Sequence, residues 1–143
     1  MILVDTSGLL AALSPSQRLH RECAAVLTGA RGPFLLPAYV LAELDHLVRR
    51  LIGLEAELAL LGEVVREAYQ VVDFGPTDLQ RACQIIEQHS DHDIGLADAS
   101  LVVLSERLGI TDLLTLDERH FRTLRGVGGE PFRILPADAK ELS

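Results

Sequence analysis

A chain of 143 residues with 48% hydrophobic residues and two cysteines is most economically one domain, able to bury about two thirds of its unfolded surface without disulfide staples. A formal net charge of −8 argues against a general nucleic-acid-coating surface, because affinity for phosphate backbones rests on many Lys and Arg contacts. No apolar stretch reaches the roughly eighteen residues of a membrane span, and Met1 runs straight into an apolar strand with no charged or cleavable leader, so a soluble cytoplasmic protein without a membrane partner is expected.

Short apolar runs alternate with helical patterns, which predicts an α/β fold with a parallel sheet of about five strands flanked by helices. The first strand is Ile2 to Asp5, followed by helices over Ser7 to Leu13 and Ser16 to Thr28, the latter closed by Gly29. Phe34-Leu35-Leu36 is the second strand. Pro37 suits a first helical turn, where its missing N–H costs nothing, and Val40, Leu41, Leu44, Leu47, Val48 and Leu51 form one buried stripe up to Gly53. A further helix runs from Leu54 to about Tyr69, its stripe of Leu58, Leu61, Val64 and Val65 reading as core or as a dimer face. Val71 to Phe74 is the third strand, and Pro76 opens a helix through Leu79, Ala82, Cys83 and Ile86. The helix from Gly95 to Leu108, ended by Gly109, leads into a fourth strand at Leu113 to Leu116, and Phe132 to Leu135 makes a fifth. Cys23 and Cys83 fall in helical patterns and are expected to be buried reduced thiols; no C-x-x-C pair offers a zinc site.

Four carboxylates stand out on this map. Asp5 closes the first strand and Asp117 the fourth, while Glu43 lies on or beside the buried stripe of its helix and Asp98 sits among small residues at a helix start. Each alone has an ordinary structural reading: Asp5 and Asp117 as helix caps, Asp98 as a helix-start acid. In an open parallel sheet, however, ligands bind beyond the carboxyl ends of the strands, near the point where strand order reverses. Four acids converging there repel one another unless a cation neutralises them, and hard oxygen ligands suit Mg²⁺ or Mn²⁺. Arg119, Arg122 and Arg125, three apart just after Asp117, are either a solvated helix face or a source of forked contacts to phosphate. His89, His92 and Asp93 are ligand-like in type, but read better as a polar helix end.

The motifs Met1-Ile-Leu-Val-Asp5-Thr-Ser7, Ala42-Glu43-Leu44, Asp93-Ile-Gly-Leu-Ala-Asp98-Ala-Ser100 and Leu114-Thr-Leu-Asp117 with His120-Phe121 resemble, in order and over the whole of residues 1–143, the PIN domain in the form of VapC-type toxins. The resemblance implies a metal-dependent endoribonuclease toxin of a type II toxin–antitoxin pair, acting on a cellular RNA such as tRNA or ribosomal RNA and inhibiting translation. It places Asp5, Glu43, Asp98 and Asp117 in the family's acidic quartet, as catalytic residues and ligands of Mg²⁺ or Mn²⁺. Thr6 or Ser7, Ser100 and Thr115 match accessory positions, and Asp93 an additional acid seen in some members. Arg119 and Arg122 are the expected RNA phosphate contacts. The implied partners are the RNA substrate, a VapB-type antitoxin and a second copy of the chain. A nuclease acting on DNA or in RNA processing, and a non-catalytic PIN binding module, are the alternatives; the intact quartet argues against the second.

Overall fold

The computed structural model describes residues 1–139 and contains one five-stranded, all-parallel sheet in the order β3-β2-β1-β4-β5. The strands are β1 (Ile2–Val4), β2 (Phe34–Pro37), β3 (Gln70–Val72), β4 (Asp112–Leu114) and β5 (Arg133–Leu135). The helices are α1 (Thr6–Leu13), α2 (His20–Gly29), α3 (Ala38–Leu51), α4 (Leu54–Val65), α5 (Pro76–Gln88), α6 (Leu96–Leu108) and the single turn α7 (Glu118–Phe121). From β1 the chain adds β2 and then β3 on one side before crossing to add β4 and β5 on the other. The switch point therefore lies between β1 and β4, with Leu3 opposite Leu113 and Val4 opposite Leu114.

Burial follows from this wiring. Leu3, Val4, Leu36, Leu113, Leu114 and Ile134 are fully enclosed, as expected of a parallel sheet covered on both faces. Helix α6 is apolar or small nearly all round, and every residue from Ala99 to Ser105 is buried, which marks it as the central helix. It stops at Gly109, whose φ of 70° supplies the left-handed turn that ends many helices. Helix α1 lies so close to β4 that a Cβ on Gly8 would stand 2.6 Å from the Leu114 carbonyl oxygen; only glycine permits that approach.

Several boundaries differ from the sequence expectation. Helix α2 begins at His20 rather than Ser16, because residues 14–19 turn through Pro15 and a left-handed Leu19 (φ 61°). Helix α4 ends at Val65 rather than Tyr69, since Glu67 takes a left-handed conformation; Tyr69 is buried, and β3 starts at Gln70. Cys23 is buried, but Cys83 is exposed, being on the outer side of α5 away from Ala82 and Ile85. The α4 stripe is only partly core: Val64 packs inward, while Leu58 and Val65 face solvent. Among the described residues no helix is long and apolar enough to cross a membrane.

Candidate active site

The carboxyl ends of β1 and β4 are tied together by hydroxyls. Asp5 follows β1 and is 5% exposed; its backbone N–H donates to the Leu114 carbonyl at 3.0 Å. It precedes α1 but does not cap it through its side chain. Instead Oδ2 accepts from Thr115 Oγ1 at 2.7 Å and from Ser7 Oγ at 3.1 Å. Those hydroxyls in turn accept from the amides of Asp117 (3.0 Å) and Leu116 (3.0 Å). Thr115 and Ser7 are themselves 3.1 Å apart, and with one proton each they can both serve Asp5 only by forgoing each other. The result is a carboxylate with Oδ2 fixed by two hydroxyl donors, whereas no side chain among the described residues donates to Oδ1.

Asp117 does cap the next helix: Oδ1 accepts from the His120 amide at 3.0 Å. Its Oδ2 lies 2.8 Å from His120 Nδ1, which is also 3.4 Å from Asp98 Oδ2. Asp98 reaches this point from the first turn of α6, where the N-terminal dipole favours an anion. Glu43, on α3, completes the set, and Asp5, Thr6, Ser7, Glu43, Asp98 and Asp117 all line one cleft of about 310 Å³.

Crowding of like charges shows in the acids themselves. Burial pushes the Asp5 carboxyl up to about 6, against the pull of the Thr115 hydrogen bond and with a further push from Asp98. Asp98 is likewise raised, first by burial and then, against the opposing influence of His120, by the charges of Asp117 and Glu43. Two buried polar atoms at the site, Thr6 Oγ1 and His120 Nδ1, have no hydrogen-bond partner among the described residues. Asp98, Asp117 and His120 can each offer a ligand atom within 4.8 Å of the others. Like-charged oxygens facing one cleft, with buried polar atoms unpaired beside them, make a donor set that fits a divalent cation.

Residues 2–126 match the family model described as the PIN domain. The chain belongs to this family. It is 36% identical to Ribonuclease VapC26 of Mycobacterium tuberculosis over 135 residues, which is 94% of this chain and all of the relative. Among solved structures it is similar to M. tuberculosis VapC20, a sarcin–ricin-loop-cleaving toxin, with a TM-score of 0.76 at 20% identity over 82% of this chain and 90% of that one. It is also similar to the DNA-bound VapBC of Salmonella typhimurium, with a TM-score of 0.66 at 16% identity, covering 93% and 96% of the two chains. Both structural likenesses concern the PIN fold.

Within this PIN domain the cleft gathers all four acids, but several neighbours fall elsewhere than the sequence led one to expect. Glu43 is exposed, not on the buried stripe of Val40, Leu44 and Val48, so it stands at the rim. Of the two hydroxyls expected beside Asp5, that of Ser7 bonds its carboxylate, whereas Thr6 Oγ1 has no partner among the described residues. Ser100 is wholly buried and donates back to the Ala97 carbonyl at 2.6 Å within its own helix. Asp93 is exposed in a left-handed turn (φ 54°) and does not line the cleft. Arg122 is held by Asp138 (2.8 and 2.9 Å) and Glu118 (2.9 Å), whereas Arg119 has no acidic partner among the described residues. His89 Nδ1 is 2.9 Å from the Ile85 carbonyl, finishing α5 as the polar helix-end reading requires. His120 enters the sequence reading only as part of the motif after Asp117, with no role given to it; the signal for one is its place three residues, one helical turn, after Asp117.

Proposed function

We propose that this PIN domain is the VapC-type toxin of a type II toxin–antitoxin pair: a cytoplasmic, Mg²⁺-dependent endoribonuclease that cuts a specific tRNA or ribosomal RNA and so inhibits translation. The convergence of Asp5, Glu43, Asp98 and Asp117 on one cleft at the β1/β4 switch point carries this reading. Its likeness to Ribonuclease VapC26 over nearly the whole chain supports RNA as the substrate. The domain is proposed to occupy 1–143, because β5 lies beyond the matched segment 2–126 yet pairs with β4; the end at 140–143 lies outside the described residues.

Asp5 and Asp98 are the principal metal ligands in this proposal, with Glu43 and Asp117 completing the shell directly or through water. Held by these carboxylates, Mg²⁺ or Mn²⁺ would lower the pKa of a water for in-line attack and would offset charge on the scissile phosphate. The protein's own part is positional. Thr115 and Ser7 hold Asp5 Oδ2 so that its remaining oxygen keeps one direction, and the Asp117 cap fixes that carboxylate on α7. A second cleft, with Arg18 and Leu19 but also Glu22 and Glu118 in its lining, shares Leu116 with the acidic one. Arg119 stands nearby as a phosphate contact that would set position without reading sequence.

Partners follow the same reading: a VapB-type antitoxin that covers the acidic cleft, and a second copy of the chain. Leu51, Ile52, Leu54 and Leu58, exposed around the α3–α4 turn, offer the apolar area a homodimer needs. Induced expression in cells, followed by sequencing of new RNA 5′ ends, tests the proposal. One or a few discrete sites, absent from an Asp5→Asn variant, are expected; cleavage of DNA alone by the purified protein, or no cleavage of either nucleic acid with Mg²⁺ supplied, would overturn it.

A further inference from the structure

We infer that His120 is a nitrogen ligand of the metal site, sharing one cation with Asp98 and Asp117, and that it gives the site a preference for Mn²⁺ over Mg²⁺ beyond what carboxylates alone would confer. The inference rests on reading the acidic cleft as a metal site. Its geometric basis is the unusual contact between His120 and the two acids. Nδ1 is 2.8 Å from Asp117 Oδ2 and 3.4 Å from Asp98 Oδ2, yet it makes no hydrogen bond, so its in-plane direction is out of line with both oxygens. Two ligand atoms in adjacent positions on an ion about 2.1 Å from each lie about 3.0 Å apart, with each lone pair about 45° off the line joining them. Such a pair is close in distance and poorly aligned as a hydrogen bond, which is what His120 displays.

The surroundings point the same way. Phe121 is buried and its ring meets Phe132 edge-on at 5.8 Å, so the turn that carries His120 is anchored next to the core. The Asp117 cap closes that turn from the other end. His120 is 18% exposed, which leaves little room for its ring to turn away. Thr6 also lines the cleft, and its buried Oγ1 is a second polar atom without a hydrogen-bond partner among the described residues. A neutral imidazole also adds no further negative charge to four carboxylates. Imidazole nitrogen suits first-row transition ions, whereas Mg²⁺ keeps to oxygen, and this difference in donor chemistry is the source of the selectivity.

Manganese binding by the full chain, followed by electron spin resonance, tests the assignment. Pulsed measurement on the Mn²⁺-loaded protein should show modulation from a directly bound ¹⁴N nucleus. His120→Asn keeps a short polar side chain but should lose that modulation and weaken Mn²⁺ about 10-fold, with Mg²⁺ affinity changed by less than about 3-fold. Circular dichroism and thermal melting verify that the variant is folded, and His120→Gln serves as the second variant if it is not. Mn²⁺ bound with no nitrogen coupling, or equal losses for both ions in a folded variant, would overturn the role of His120 alone. Failure of the wild-type chain to bind Mn²⁺, or binding untouched in Asp98→Asn, would overturn the metal-site reading beneath it.

Discussion

Thr115 donates to Asp5 Oδ2 at 2.7 Å across 110 positions of sequence, and the same hydroxyl accepts the Asp117 amide at 3.0 Å. One side chain thus joins two of the four cleft acids and locks the end of β1 to the end of β4. Thr115→Val, of nearly the same shape, should lower kcat about 10- to 100-fold. It should also move the acidic limb of the pH–rate profile upward, because the lost donor stabilised the ionised form of Asp5. The stranded Asp117 amide should cost about 1–3 kcal/mol of stability. Thr115→Ser should restore all three; a Ser variant as impaired as Val would show that the methyl group, not the hydroxyl, matters.

Asp5 makes the metal-free protein less stable at neutral pH. Its carboxyl moves from an ordinary 3.8 to about 6 in the folded chain, so between those values the native state binds more protons than the unfolded one. Stability attributable to Asp5 therefore falls as pH rises through that window, by about 3 kcal/mol in all, and stays low above it. Urea denaturation of wild type and Asp5→Asn in chelator should give a stability difference that grows in favour of Asn from pH 4 to 6.5. A difference independent of pH would show that Asp5 is not the group responsible.

Asp98→Asn should abolish RNA cleavage and cellular toxicity while the fold persists, since it relieves repulsion from Asp117 and Glu43. Asp45, two residues beyond Glu43, faces Glu57 and Arg49 on the α3–α4 hairpin instead of the cleft. Asp45→Asn should leave cleavage within about 2-fold, as surface changes away from a site usually do. An inactive Asp45→Asn beside an active Asp98→Asn would invert the assignment of helix faces.

Among the arginines, only Arg119 should behave as a phosphate contact. Arg119→Ala is expected to weaken RNA binding and reduce the slope of log affinity against log salt by about 1, while Arg66→Ala changes neither. Arg122→Ala should leave the slope alone, because Asp138 and Glu118 already occupy its guanidinium and raise its pKa. Being partly exposed, that network should be worth no more than about 1 kcal/mol. A reduced slope for Arg122→Ala would mean that RNA displaces both carboxylates.

The sequence by itself determined the alternation of strands and helices, the place of Asp5 at the end of β1, the glycine stop of α6 and the family, because these depend on local periodicity and on residue types at fixed spacing; Asp117, expected to close the fourth strand, stands three residues beyond β4 as the cap of α7. Tertiary structure decided which groups meet. Ser7 reaches Thr115 because Gly8 lets α1 rest on the Leu114 carbonyl, a contact over more than a hundred residues that no window of sequence contains. The sequence places Glu43 only on or beside the buried stripe, because a helical period gives a face only to within a residue or so; α3 turns Leu44, not Glu43, to the core and leaves Glu43 exposed. Arg122 looked free because Asp138, its partner, arrives from beyond β5. His120 meets Asp98 only when α6 packs against α7, and that contact between distant segments, unlike the three-residue spacing from Asp117, cannot be read from the chain around it.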